Sequence, residues 1–147
     1  MYQPSNLSAP PLGNRSTDPD AIAPDGSEIR LLIDHRHAAV GASMVEVTLP
    51  AGQVSRPVFH RTVEEVWYIL QGNGQVWRCP TGIEEPSLVS AISVEPGDAL
   101  VIPTGWMFQF SANESGSLRF LCVTMPPWPG DDEAQPASVG GLGPPTV

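Results

Sequence analysis

His60 and Glu65 are the residues of this chain whose types and spacing can do chemistry. They stand in "PVFHRTVEEVWYILQGNG", Pro57 to Gly74, where one histidine precedes paired glutamates, an alternating apolar run and a glycine-flanked turn. An imidazole and a carboxylate can ligate a divalent metal, or they can pass a proton. A firm zinc, iron or manganese site wants three or four converging N, O or S ligands, and this pair supplies two. The chain has 3 histidines in all, so only His35 and His37 in "DHRHAAVGA" are left to supplement them. Alternation sets His35 and His37 on one face, either as an exposed polar loop or at a pocket mouth.

The elements that must position these residues read as short strands. "EIRLLI" (Glu28–Ile33), "SMVEVTL" (Ser43–Leu49), "EVWYIL" (Glu65–Leu70), "QVWRC" (Gln75–Cys79), "SLVSAISV" (Ser87–Val94), "ALVI" (Ala99–Ile102), "MFQFS" (Met107–Ser111) and "LRFLCVTM" (Leu118–Met125) are separated by Pro/Gly/Asn/Asp turns. Short strand signals at regular intervals, with no helical stripe, predict an all-β sandwich or barrel.

Period two places Glu65, Trp67 and Ile69 on one face and Val66, Tyr68 and Leu70 on the other. Both faces are apolar, so the second is expected to be covered by the other sheet's edge, the N-terminal arm or a second subunit. If Asn73-Gly74 forms a two-residue turn, Ile69 lies opposite Arg78 and Leu70 opposite Trp77, whereas a longer turn puts Arg78 outside. With the two-residue turn Arg78 shares Glu65's face, either as a handle for a ligand carboxylate or phosphate or as a partner of Glu65. Farther along, Trp106, Phe108 and Phe110 share a face, with Met107 and Gln109 on the other.

Two turns resemble the motifs of the cupin family, small β-barrels of jelly-roll type. The first family motif runs G-x5-H-x-H-x(3,4)-E-x6-G. Here His60 takes the second histidine's place, Glu65 follows after four intervening residues, and Gly72 after six more. The second runs G-x5-P-x-G-x2-H-x3-N, and "EPGDALVIPTG" supplies Gly97, Pro103 and Gly105. The resemblance spans Ile29 to Met125 and implies a single cupin barrel over residues 27–125. It also implies that His60 and Glu65 project inward. The family's other two metal-ligand positions are Val58 and Phe108 here, and the motif asparagine falls on Ala112. No cofactor is therefore expected, with a divalent metal at His60 and Glu65 as the lesser alternative.

The flanks differ from the body. Residues 1–26 are rich in Pro, Ser, Asn and Asp and read as a flexible N-terminal arm. Residues 126–147 read as a Pro/Gly-rich acidic tail in which Trp128 is the one residue expected to fold back. The N-terminus "MYQPSNLSAPPLGNRSTDPD" shows neither a basic start nor an apolar h-region. No apolar run approaches the roughly 20 residues of a membrane helix.

The formal net charge is -9, with only 7 Lys or Arg, all arginine. That composition argues against nucleic acid and anionic membrane as partners. Cys79 and Cys122 fit two buried free thiols of a cytoplasmic protein, with a disulfide as the alternative.

These observations predict a small-molecule pocket walled by Val58, Trp67, Ile69, Arg78, Trp106, Phe108 and Gln109, with His60 and Glu65 as the acid/base pair. The expected function is binding of a small, partly apolar molecule, with metal-independent isomerase, cyclase, lyase or dehydratase chemistry in view. The alternatives are a binding or sensing module without turnover, and a metal-dependent cupin oxygenase or isomerase that recruits His35 and His37. A homodimer is expected.

Overall fold

The computed structural model describes residues 8–147, so the first seven residues of the expected arm lie outside the described residues. Among the described residues the chain forms two antiparallel sheets. One has six strands: β1 (Ala21–Ile22), β2 (Glu28–Ile33), β3 (Ser43–Leu49), β5 (Glu64–Gln71), β8 (Ala99–Ile102) and β10 (Leu118–Met125). The other has five: β4 (Val58–His60), β6 (Gly74–Cys79), β7 (Ile92–Val94), β9 (Met107–Ala112) and β11 (Ala134–Pro136). Their orders are β1-β2-β3-β10-β5-β8 and β11-β4-β9-β6-β7, a jelly-roll barrel.

Period two explains the core. Glu65, Trp67 and Ile69 of β5 and Leu118, Phe120, Cys122 and Thr124 of β10 are buried, while their sequence neighbours are less so. Val76, Phe108 and Phe110 face them from the five-stranded sheet, and all three are buried. Trp67 stacks on Phe120 with ring centroids 4.0 Å apart and meets Phe110 edge-on at 5.2 Å. Each such fully buried apolar side chain is worth roughly 1.5–3 kcal/mol relative to exposure.

The connection from β5 to β6 is not the expected hairpin. The two strands belong to different sheets, and β6 pairs with β9 and β7. Ile69 therefore lies opposite Phe120, and Arg78 opposite Phe108. The chain crosses between sheets at Gly72, which has a φ of 80°. A Cβ there would lie 2.0 Å from the Ser117 carbonyl oxygen, so the crossing needs glycine on both counts.

The flanking segments also contribute strands. β1 lies within residues 1–26, and β11, within residues 126–147, pairs with β4. Arg30 donates to the Ser16 and Thr17 carbonyls, and Arg15 pairs with Glu46 at 2.8 Å. At the other end, Val139 and Leu142 pack on the buried Trp77–Cys79–Met107 cluster. Proline removes donors but does not prevent a segment from packing on an existing sheet edge. Among the described residues no helix is long and apolar enough to cross a membrane.

Candidate active site

His60 ends β4, and the loop after it is held by Glu133, a residue of the acidic tail. Glu133 accepts from the Thr62 amide (2.7 Å), the Thr62 hydroxyl (2.7 Å) and the Val63 amide (2.8 Å). The Gly105 amide donates to the His60 carbonyl at 3.0 Å, tying the two motif turns together. The imidazole is wedged edge-on between Phe108 and Trp128, each at 5.2 Å. The Trp128 amide donates to Ser43 Oγ at 3.0 Å, and Ser43 in turn hydrogen-bonds Thr124. Two hydroxyls on the inner wall thus hold the Pro127–Pro129 segment over the cavity.

Glu65 lies opposite Thr124 on the inner face of β5. Its Oε1 accepts from the Trp67 indole N–H at 2.9 Å. Its Oε2 stands 3.8 Å from His60 Nδ1, too far for a hydrogen bond. His60 Nδ1 is buried with no hydrogen-bond partner. Both groups line a cavity of about 880 Å3 with Trp67, Phe110, Phe120 and Cys122.

The environment sets the protonation states. Burial drives the His60 pKa down to about 4, with the Glu133 charge opposing it. Burial pushes Glu65 up to about 7, against hydrogen bonding that pulls it down. Near neutrality the pair is therefore a neutral imidazole facing a carboxyl poised between its acid and its anion, not an ion pair. Burial, and then Glu65, push the Cys122 thiol well above its ordinary value, so it stays protonated and is no nucleophile. Cys79 is likewise buried and free.

Of the predicted site residues, His60, Glu65 and Trp67 line the cavity together. Val58, Ile69 and Phe108 are buried in the core behind it. Arg78 does not reach it, because its guanidinium donates to the Val101 carbonyl at 2.8 Å. Trp106 is half-buried and also lies off the cavity.

Gln109 points to the outer side of its sheet. There it donates to the Ser55 and Gly143 carbonyls and accepts from the Leu142 amide, stapling the tail. His35 lines the cavity, but His35 and His37 lie on a 3-10 turn and not on one extended face. His37 Nδ1 accepts from the Asp34 amide at 3.1 Å. Sequence reasoning missed Ser43, Thr124, Phe120, Cys122 and Glu133. The alternation of "LRFLCVTM" marks the inner residues of β10, and only the register with β5 brings them to Glu65.

The donor set does not fit a metal of the cupin type. Val58 and Phe108, which the motif resemblance sets at two of the four ligand positions, carry no donor atom and pair across β4 and β9, and the Phe108 ring abuts His60. Among the described residues no three His, Cys, Asp or Glu side chains converge to hold an ion.

The family model described as Cupin matches residues 14–127. The chain belongs to the cupin family. The uncharacterized protein MJ1618 of Methanocaldococcus jannaschii is 31% identical over 121 residues, covering 79% of this chain and 90% of that protein. Two solved cupin-fold structures are similar at the level of fold. The polyketide cyclase RemF from Streptomyces resistomycificus has a TM-score of 0.62 at 20% identity, covering 95% of this chain and 85% of that one. The Streptomyces nucleoside dehydratase Pac13 has a TM-score of 0.58 at 13% identity, covering 85% and 84%.

Proposed function

We propose that this cupin binds a small, partly apolar organic molecule in its barrel and moves a proton on it without a metal, as an isomerase, cyclase, lyase or dehydratase. The observation that carries this reading is the unpartnered, buried His60 Nδ1 facing the Glu65 carboxyl at 3.8 Å on the cavity wall. A ligand hydroxyl or enol oxygen lying to one side of the pair, about 2.8 Å from each, can hydrogen-bond both groups at once. Neutral His60 accepts the proton, and the Glu65 acid returns one at a second atom of the ligand. Two titratable groups pushed in opposite directions are the arrangement acid/base catalysis needs. RemF, a cyclase, and Pac13, a dehydratase, put reactions of this breadth on the same fold, which is support by analogy.

The test is solvent-deuterium incorporation into cyclisable polyketides and nucleosides, read by mass spectrometry. Wild-type protein is expected to exchange at least one candidate. His60→Ala and Glu65→Gln are expected to lose exchange by about 100-fold or more, well beyond any loss of affinity for the same candidate. Binding by the wild type without any exchange would favour the alternative of a sensing module.

The same reading includes a homodimer. Val66 and Tyr68 on the outer face of β5 are 38% and 49% exposed, with Val101 of β8 beside Val66 at 39%. A second copy is the natural cover for this apolar face, and the mass in solution tests it. The two buried free thiols suit a reducing, cytoplasmic setting.

A further inference from the structure

The charges around the cavity restrict what can enter it. Asp25, Asp34, Glu65 and Asp131 line it, together with His35 and His60, and no arginine does. The chain has no lysine, and each of its arginines is already engaged. Arg15 and Arg119 pair with Glu46, Arg36 with Asp34, and Arg61 with Asp132. Arg30 holds the Ser16 and Thr17 carbonyls, Arg56 the Val147 carbonyl and Arg78 the Val101 carbonyl. Apart from the Ser43 and Thr124 hydroxyls the remaining wall is mostly apolar, with Ile29, Leu31, Val45, Val47, Phe110 and Phe120.

An anion entering this space gives up water and meets no counter-charge. It also arrives beside Glu65, and two carboxyls in one site resist ionising together. A neutral molecule gives up far less hydration and meets no charge repulsion. Its hydroxyl or amide can satisfy His60 Nδ1, which is buried and without a partner in a residue only 5% exposed.

Resting on the function proposed above, we propose that the barrel selects uncharged, ring-bearing ligands with a hydrogen-bonding group for His60, and rejects carboxylates, phosphates and sulfates. Selection is by the lack of a cation, not by size, since a cavity of about 880 Å3 holds a bicyclic ring of either charge.

A matched pair of probes separates charge from shape. Naphthamide and naphthoate share a ring system and a carbonyl and differ in charge at pH 7. Calorimetric titration of the full-length protein is expected to show naphthamide binding saturably, and naphthoate binding weaker by about tenfold or more. Leu31→Arg, at the cavity wall and 39% exposed, supplies the missing cation without disturbing the core. It is expected to raise the ratio of naphthoate to naphthamide affinity about tenfold. Naphthoate binding as well as naphthamide to the wild type would overturn charge selection while leaving the barrel a binding site. Saturable binding by neither probe to folded wild type would count against both.

Discussion

Two buried glutamates flank His60, and they behave in opposite ways. Both expose little surface, 2% for Glu133 and 7% for Glu65, but Glu65 lies deep inside the barrel while Glu133 lies near its surface. Burial favours the neutral acid at Glu133 too, yet hydrogen bonds from Thr62 and Val63, with His60 nearby, hold it below the ordinary carboxylate range. Glu65 accepts from the Trp67 indole at 2.9 Å, with the Cys122 thiol as a weaker second donor, and burial carries it up to about 7. Depth of burial and the number of donors aimed at a carboxylate together decide whether it is a fixed anion or a proton source. One glutamate anchors the loop that carries His60; the other is free to exchange with a ligand.

The largest effect that would break this contrast is on the anchor. Glu133→Ala removes three charge-assisted hydrogen bonds and strands the Thr62 and Val63 amides, and is expected to cost about 3–5 kcal/mol by urea unfolding at pH 7. A cost under about 1 kcal/mol would mean that the acceptor is dispensable.

The next effect is pH-dependent. Glu65 has a higher pKa folded than unfolded, so the folded state binds more protons between about pH 4.5 and 7. Its contribution to stability is fully present below about 4.5 and is lost as pH rises to about 7, by up to about 3 kcal/mol. His60 has the opposite slope, because its folded pKa of about 4 lies below the ordinary 6.5 and favours folding as pH rises between those values. Comparing wild type with Glu65→Gln between pH 5 and pH 8 isolates the glutamate. The variant is expected to lose that decline and keep the histidine's slope.

Smaller effects sharpen the same comparison. Trp67→Phe deletes the hydrogen bond that stabilises the ionised Glu65. It is expected to move the Glu65 midpoint above 7 and to cost about 1–2 kcal/mol in unfolding experiments. Arg78→Ala breaks one bond to the Val101 carbonyl, outside the cavity. It is expected to cost about 0.5–1 kcal/mol and to leave naphthamide affinity unchanged by calorimetry.

The barrel was legible because its signals are local. Alternation in "EVWYIL" and the two glycine-proline turns predict an all-β chain, with Glu65 and Trp67 on one inner face. Arg78 was misplaced because Gly72 sends the chain to the other sheet, and a turn sequence does not report which strand comes to lie alongside. Gln109 reads as a ligand contact in "MFQF", yet its partners are Ser55, Leu142 and Gly143, far away in the chain. Glu133 reads as one of several solvated acids in "GDDEA", because its distinction lies in donors 70 residues upstream. Trp128 was the exception in the tail, since an isolated tryptophan signals a surface to pack against, and it closes on His60.

The most direct measurement is a carbon-13 titration of the side-chain carboxyls in glutamate-labelled protein, with the Glu65 resonance identified by its loss in Glu65→Gln. A midpoint near 7 is expected for Glu65. A midpoint near the ordinary value of about 4.5 would make Glu65 a permanent anion at neutral pH and contradict its role as the proton donor facing His60.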